Sequence, residues 1–331
     1  MISLISDIDR FDAEWQAIER REGQSLKELK AIATVRSVGA STRIEGSKLS
    51  DEEVDVLLKN LDISKLEERD KQEVVGYFEV LDTISEAFED IQISENGIKG
   101  LHNHLLRHST KDQWHKGDYK KQSNSVEAQM PDGTSQIIFR TTDPGFATED
   151  AMREMITWYG NDNETHALVK CALLCYEFVS IHPFQDGNGR LSRLLATLLL
   201  RKHHYHWIQY VSLEHEIEHQ KNEYYRVLRS CQANRPNEDI TEWVLFFLSC
   251  LKNVHASLMN KLEMHGTVQQ LSKREKLILV LVETYPGIQS GAITEKLDIN
   301  VSSVKRALAD LLEKRLIEKD GVGRGTSYYI L

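Results

Sequence analysis

The run His182-Pro183-Phe184-Gln185-Asp186-Gly187-Asn188-Gly189-Arg190-Leu191-Ser192-Arg193 decides how this chain is read. Its two glycines permit positive φ and close backbone approach, and the amides around them can form a nest for an anion. A helix starting near Arg190 adds a second anion-binding element at its N-terminus. Arg190 and Arg193, three residues apart, share one face of that helix's first turn. Asp186 is a hard oxygen ligand of the kind Mg²⁺ takes together with substrate phosphates. His182 exchanges a proton near neutral pH. Together these residues read as a site for Mg²⁺-bound nucleotide phosphates beside a general base. A polar Gly-Asn-Gly turn between two helices is the plainer alternative.

Working outward, Leu168 to Phe178 is nearly all apolar and is expected to be a buried central helix that leads rigidly into this loop. The rest reads as helix after helix, interrupted by only five prolines in 331 residues. The expected helices are Phe11–Glu19, Ser25–Glu45, Ser50–Asn60, Lys71–Glu86, Ile98–Arg107, Thr148–Gly160, His166–Ser180, Arg190–His203, Glu214–Arg229 and Thr241–Leu262. Between them, Ser123–Ala128 and Thr134–Arg140 flank Met130-Pro131-Asp132-Gly133, and Asp-Gly between strand-like runs signals a β-hairpin.

After Met264-His265-Gly266 the pattern changes. Helices are expected over Ser272–Thr284, Ala292–Leu297 and Ser302–Lys314, the last capped by Ser302 with Asn300-Val301 as the turn. Leu316–Asp320, a turn through Gly321–Gly325, and Ser327–Leu331 form a hairpin. The order helix, helix-turn-helix, wing resembles a winged helix over 271–331, with Ser302–Lys314 as recognition helix. Ser302, Ser303, Lys305 and Arg306 are its exposed candidates, joined by Arg324 in the wing. This segment holds ten Lys/Arg and eight Asp/Glu, a net +2 against −12 for the remainder. That is too little to establish DNA binding, and protein contacts are equally open.

The formal charge of −10 implies no general affinity for nucleic acid or an anionic membrane. Acidic residues follow Met1 too soon for a signal peptide, and no apolar run reaches the ~18 residues of a spanning helix. Cys171, Cys175, Cys231 and Cys250 lie in apolar, helix-like runs and read as reduced core cysteines of a cytoplasmic protein. His215-Glu216-Ile217-Glu218-His219 fits the zinc pattern H-E-x-x-H, with Glu238 as a third ligand, or else consists of solvated helix-start residues. His203, His204 and His206 suit a helix C-terminus. No phosphate-binding Gly-x-x-x-x-Gly-Lys-Ser/Thr loop occurs.

The run from His182 to Arg193 resembles the signature of the Fic family, His-x-Phe-x-Asp/Glu-Gly-Asn-Gly-Arg-x-x-Arg, at every fixed position. The resemblance implies a mainly α fold over 31–262: a Fic-type helical core with a β-hairpin flap, preceded by a helical extension over 1–30 and followed by the small winged helix-turn-helix domain. It implies transfer of AMP from ATP to a Ser, Thr or Tyr hydroxyl of a target protein, which can be the chain itself. His182 would be the general base and Asp186 the Mg²⁺ ligand. Asn188 and the amides around Gly187 and Gly189 would bind the α- and β-phosphates, and Arg190 and Arg193 the β- and γ-phosphates. Phe184 would anchor the loop in the core. Tyr224 and Tyr225 would wall the adenine site, packing being the alternative. Ser41-Thr42-Arg43-Ile44-Glu45-Gly46 matches the family's inhibitory pattern Ser/Thr-x-x-x-Glu-Gly/Asn, with Ser41 and Glu45 on one helix face and Gly46 as C-cap. Glu45 would then pair with Arg193 and withdraw it from the γ-phosphate.

The hairpin would be the flap that aligns a target segment by strand addition. One departure is visible: where the family commonly has Gly-x-x-Arg, Gly117-Asp118-Tyr119-Lys120 ends in Lys120, which puts fine positioning in question. Two other readings stay open. The same site can remove AMP, with Glu45 positioning the water, or the chain can be a DNA-binding regulator whose core senses nucleotide. A homodimer and DNA contact through 271–331 are open as partners; a membrane is not expected.

Overall fold

The structure is a computed structural model that describes all residues except 22, 64–65, 130–134, 270, 298 and 322. Among the described residues it is mainly α-helical, and it divides into two compact units, Met1–Leu258 and Met259–Leu331.

The first unit is helical apart from one hairpin. Its elements are α1 (Ile2–Arg21), α2 (Gly23–Ile44), α3 (Asp51–Lys59), α4 (Arg69–Ala87), α5 (Glu95–Leu105), β1 (Ser125–Gln129), β2 (Ser135–Arg140), α6 (Phe146–Asn161), α7 (Ala167–Ile181), α8 (Asn188–Lys202), α9 (Leu213–His219), α10 (Lys221–Gln232) and α11 (Thr241–Gln269), whose residues to Leu258 belong to this unit. Helix α7 is the centre. Leu168, Cys171, Ala172, Leu174, Cys175, Phe178 and Ile181 are all buried, as expected of a helix that is apolar all round. The four cysteines are free and buried. Helix α1 is longer than its sequence pattern suggested. It buries Ile8, Phe11, Trp15 and Ile18, and Phe11 packs edge-on to Trp207 with ring centres 5.3 Å apart.

Several local expectations are corrected. The single helix over Glu214–Arg229 is two, α9 and α10, jointed at Gln220 (φ −106°, ψ 26°). No Pro or Gly marks that joint. A 3₁₀ turn at His206–Tyr210 precedes them. Strands β1 and β2 pair antiparallel, with a register shift between Val126 and Glu127; the expected turn at Met130–Gly133 lies outside the described residues. The H-E-x-x-H run is not a metal site: among the described residues no group of three or more His, Cys, Asp or Glu could hold a metal ion. Glu238 instead pairs with Arg235 at 2.9 Å. Glu218 takes Arg43 of α2 in a fork, Nε to Oε1 at 2.7 Å and Nη2 to Oε2 at 2.9 Å. Bidentate geometry makes this a strong charge-assisted contact, and it fixes the C-terminal end of α2.

The second unit contains α12 (Lys273–Thr284), β3 (Ile288–Gln289), α13 (Ser290–Leu297), α14 (Val301–Glu313), β4 (Ile317–Asp320) and β5 (Ser327–Ile330). The small antiparallel sheet has the order β3-β5-β4. Its core includes Ile278, Val282, Ile293, Val304, Leu308, Leu311 and Ile317. Ser272 and Glu275 form a capping box at the start of α12, as such sequences do. The cap of α14 is Asn300, not Ser302. The Asn300 carboxamide oxygen accepts the Ser303 N–H at 2.8 Å, and the helix starts one residue earlier than expected. Ser302, Lys305 and Arg306 are exposed.

No helix among the described residues is long and apolar enough to cross a membrane. Helices α4 and α5 cross closely enough that a Cβ at Gly76 would overlap the Leu105 carbonyl oxygen. A backbone atom there cannot swing aside. Gly76→Ala is therefore expected to lower stability by about 1–3 kcal/mol through overpacking, read as a drop in Tm of several degrees. An unchanged or raised Tm, the outcome helix propensity alone would give, would contradict this crossing.

Candidate active site

The loop between α7 and α8 is built by its own side chains. Helix α7 ends on His182, which adopts the left-handed conformation (φ 54°, ψ 60°). A non-glycine residue held there needs support from its surroundings. Phe184, fully buried, supplies part of it by stacking on His102 of α5, ring centres 3.7 Å apart and 11° from parallel. Asn188 closes the loop: its Oδ1 accepts the Phe184 N–H at 2.9 Å and its Nδ2 donates to the Phe184 carbonyl at 2.7 Å. The Asn188 carboxamide is thus committed to bracing the loop, which leaves its backbone N–H for an anion. Gly187 takes φ +80° at the start of α8. The amides of the first turn that follows are the N–H groups a helix leaves without intrahelical acceptors.

His102 is wholly buried. Its Nδ1 accepts the Gly117 N–H at 2.9 Å, so Nε2 carries the proton and donates to the Asp186 carbonyl at 3.0 Å. His182 lies with Nδ1 3.3 Å from the Val179 carbonyl. A carbonyl only accepts, so the proton sits on Nδ1 and Nε2 is the ring's acceptor. Burial pushes its pKa down to about 4, helped by Lys120 and opposed by the Val179 contact, Glu45 and Asp186. At neutral pH the ring is therefore uncharged and able to take a proton.

Asp186 belongs to a closed ring of charges. Its Oδ1 accepts the Gly187 N–H at 2.6 Å and faces Arg190 at 3.3 Å, while Oδ2 accepts from Arg69 at 3.2 Å. Glu73 of α4 completes the ring, 3.3 Å from Arg190 Nη1 and 2.7 Å from Arg69 Nε. Burial opposes the charge on Asp186, but Arg190, the Gly187 N–H, Arg69 and Lys111 outweigh it and hold the pKa below the ordinary value. Arg190 is 1 % exposed, yet its Nε and Nη1 find no hydrogen-bond acceptor among the described residues. Nη1 faces Glu73 as an ion-pair partner but makes no hydrogen bond, and buried donors left without one are costly.

Arg193 is held quite differently. Its Nε donates to Ser41 Oγ at 2.8 Å and its Nη2 to the Ser41 carbonyl at 2.9 Å and to Glu45 Oε1 at 2.7 Å. Ser41 is fully buried and Arg193 nearly so, while the Glu45 side chain is about one-third exposed (32 %). Burial works against the charge of both partners. Arg193, then Arg190 and His182, nevertheless keep Glu45 below its ordinary pKa, and Glu45 raises that of Arg193. Helix α2 ends at Ile44, and Gly46 (φ +108°) makes the turn. Glu45 also closes over the loop: a Cβ on Gly189 would overlap its Oε1.

A cavity of about 430 Å³ lies against this loop, lined by His182, Asp186, Arg190, Glu45, Tyr224 and Tyr225 among others. That is within the size range of nucleotide and drug-sized ligand sites. Tyr224 is buried, 5.0 Å from the Tyr225 ring and 5.7 Å from Trp243. It therefore packs as well as walls, while Tyr225 is half-buried. Another cavity, between α2, α4 and α8, measures about 40 Å³ and cannot hold a nucleotide.

Residues 92–200, from just before α5 to near the end of α8, match the Fic/DOC family. Over these residues the chain resembles a Fic domain. It is a distant homologue of protein adenylyltransferases: the protein adenylyltransferase Fic of Drosophila yakuba is 25 % identical over 240 residues, covering 71 % of this chain and 43 % of its own length. That of Drosophila virilis is 24 % identical over 295 residues, covering 87 % and 55 %. The chain thus spans about half the length of the curated relatives it matches. Among solved structures, a Fic family protein from Desulfovibrio desulfuricans matches with a TM-score of 0.63 at 23 % identity, covering 100 % of this chain and 95 % of that one. A Fic domain containing signaling protein from Bacteroides thetaiotaomicron matches with 0.62 at 25 %, covering 77 % and 95 %.

Sequence reading missed Arg69, Glu73 and His102. Glu73 left a faint signal, a carboxylate on the stripe continued by Tyr77, Val80 and Ile84, all buried; Arg69 and His102 left none. The contact between Arg193 and α2 can be tested through Ser41. Ser41→Ala removes the acceptor of a buried charged N–H, so it should cost about 1–3 kcal/mol in urea unfolding. Unchanged stability would mean that Arg193 Nε does not depend on Ser41.

Proposed function

We propose that this chain is a protein adenylyltransferase restrained by its own helix α2. The observation that carries this reading is the Arg193–Glu45 hydrogen bond of 2.7 Å at the edge of a nucleotide-sized cavity. His182 Nε2 takes the proton from a Ser, Thr or Tyr hydroxyl of the acceptor protein. The hydroxyl oxygen attacks the α-phosphorus of ATP, the bond to the β-phosphate bridging oxygen breaks, and pyrophosphate leaves. The α8 N-terminal amides and Arg190 bind phosphate oxygens, and positioning with charge stabilisation supplies most of the catalysis.

Asp186 would hold Mg²⁺. The residues fit: the carboxylate is held ionised and about one-third exposed, and a site with one protein carboxylate suits an ion that takes its remaining ligands from phosphates and water. When bound, the ion would neutralise phosphate charge. Arg193 belongs beside the γ-phosphate, and Glu45 keeps it away.

For the second unit we infer a winged helix, supported by the element order α12-β3-α13-α14-β4-β5 and the sheet order β3-β5-β4. Its net charge of +2 gives no electrostatic reason to favour DNA over a protein partner.

Incubation with α-labelled ATP, Mg²⁺ and cell lysate tests the main reading. Glu45→Gly should label protein at least ten-fold more than wild type. The double variant Glu45→Gly/His182→Ala should lose ~10²–10⁴-fold, the usual contribution of a positioned base. Label that is indifferent to Glu45 would remove the restraint. No label from any variant would remove AMP transfer and favour AMP removal or nucleotide sensing.

A further inference from the structure

Lys120 is only 2 % exposed, an unusual place for a lysine. All three of its ammonium protons have acceptors: Asn124 Oδ1 at 2.9 Å, Thr141 Oγ1 at 2.8 Å and the Ile181 carbonyl at 3.2 Å. Those acceptors define its role. Asn124 immediately precedes β1 and Thr141 immediately follows β2. Ile181 immediately precedes His182. The backbone adds two more ties, from Lys120 N–H to the Pro183 carbonyl at 2.8 Å and from Asn124 Nδ2 to the Phe184 carbonyl at 2.9 Å. Thr141 closes the base of the hairpin onto the Asn124 carbonyl at 2.5 Å. One ammonium therefore joins both feet of the hairpin to the carbonyl before the base, and the chain on the far side of His182 is held by the same residue.

The Phe184–His102 stack and the Asn188 brace fix the phosphate side, and the brace meets the base of the hairpin at the Phe184 carbonyl, which accepts from both Asn188 Nδ2 and Asn124 Nδ2. We propose that Lys120 is a positioning residue for the acceptor protein: it locks the β1–β2 hairpin to the His182 loop, so that a segment paired along the hairpin presents its hydroxyl to His182 in a fixed register. This rests on the AMP-transfer reading above. Because an ammonium has three donors and an apolar side chain none, the lock should fail with methionine. Arginine, with more donors and a permanent charge, should largely restore it. Burial also pushes the Lys120 pKa down to about 8, with Asp143 opposing, so the ammonium is charged at neutral pH.

The test compares Lys120→Met and Lys120→Arg in the Glu45→Gly full chain. Two rates are followed from α-labelled ATP: label on lysate protein, which needs the hairpin, and free AMP released by water, which does not. Amide hydrogen exchange is followed over 125–129, 135–140 and α7. The expected result for Lys120→Met is a fall of at least ten-fold in the ratio of protein label to free AMP, with faster exchange in the hairpin and unchanged exchange in α7. Lys120→Arg should recover most of that ratio. An unchanged ratio, loss of both rates together without rescue by arginine, or unaltered hairpin exchange would overturn the proposal. If the Glu45→Gly parent yields neither label nor AMP, the AMP-transfer reading itself falls, and the proposal with it.

Discussion

Arg193 is a permanent charge placed where water barely reaches, and the active region depends on how that charge is satisfied. A buried guanidinium must find acceptors or destabilise the fold. Here helix α2 provides three, two from Ser41 and one from Glu45. The dependence runs both ways, because the end of α2 is held against α8 by the same hydrogen bonds. A bidentate fork, Arg43 to Glu218 on α9, pins the same last turn of the helix. On the proposed function, the restraint is anchored in the folded core through Ser41, and releasing it means exchanging the part-exposed Glu45 carboxylate for another partner of Arg193. A phosphate is the natural replacement, since arginine binds carboxylate and phosphate with the same planar geometry.

Across the cavity the second arginine is arranged the opposite way. Arg190 shares Asp186 and Glu73 with Arg69 as ion-pair partners, and its Nε and Nη1 make no hydrogen bond among the described residues. Arg193 is satisfied by Ser41 and Glu45, and Arg190 is incompletely satisfied beside the N-terminus of α8. On the proposed function, the site is prepared for the phosphates near Asp186 and closed to the phosphate furthest from it. On the same proposal, the neutral His182 and the left-handed backbone beneath it complete a site that needs a nucleotide and an acceptor rather than a structural rearrangement of its loop.

Much of this was legible because the chemistry is contiguous. His182, Asp186, Gly187, Gly189, Arg190 and Arg193 lie within one turn-and-helix, where spacing alone fixes which side chains converge. The apolar run before it announced α7. What spacing cannot reveal is who answers from a distance. Arg69, Glu73 and His102 reach the loop from α4 and α5, and no local pattern distinguishes them from surface or core residues. The joint at Gln220 went unseen because a helix can break on packing alone, without Pro or Gly. The cap of α14 fell on Asn300 because a carboxamide reaches the third N–H as readily as a serine does. Glu218 gave no sign of its role: its run fits a zinc pattern or solvated helix-start residues, whereas its carboxylate pairs with Arg43, far away in sequence.

The central claim is that Glu45 occupies the place of the γ-phosphate on Arg193. Calorimetric titration of MgATP and MgADP into wild type and Glu45→Gly tests this without requiring an acceptor protein. The account predicts that the substitution strengthens MgATP binding by at least ten-fold more than MgADP binding, because only ATP carries the group that needs Arg193. Equal gains for both nucleotides, or none for either, would contradict it.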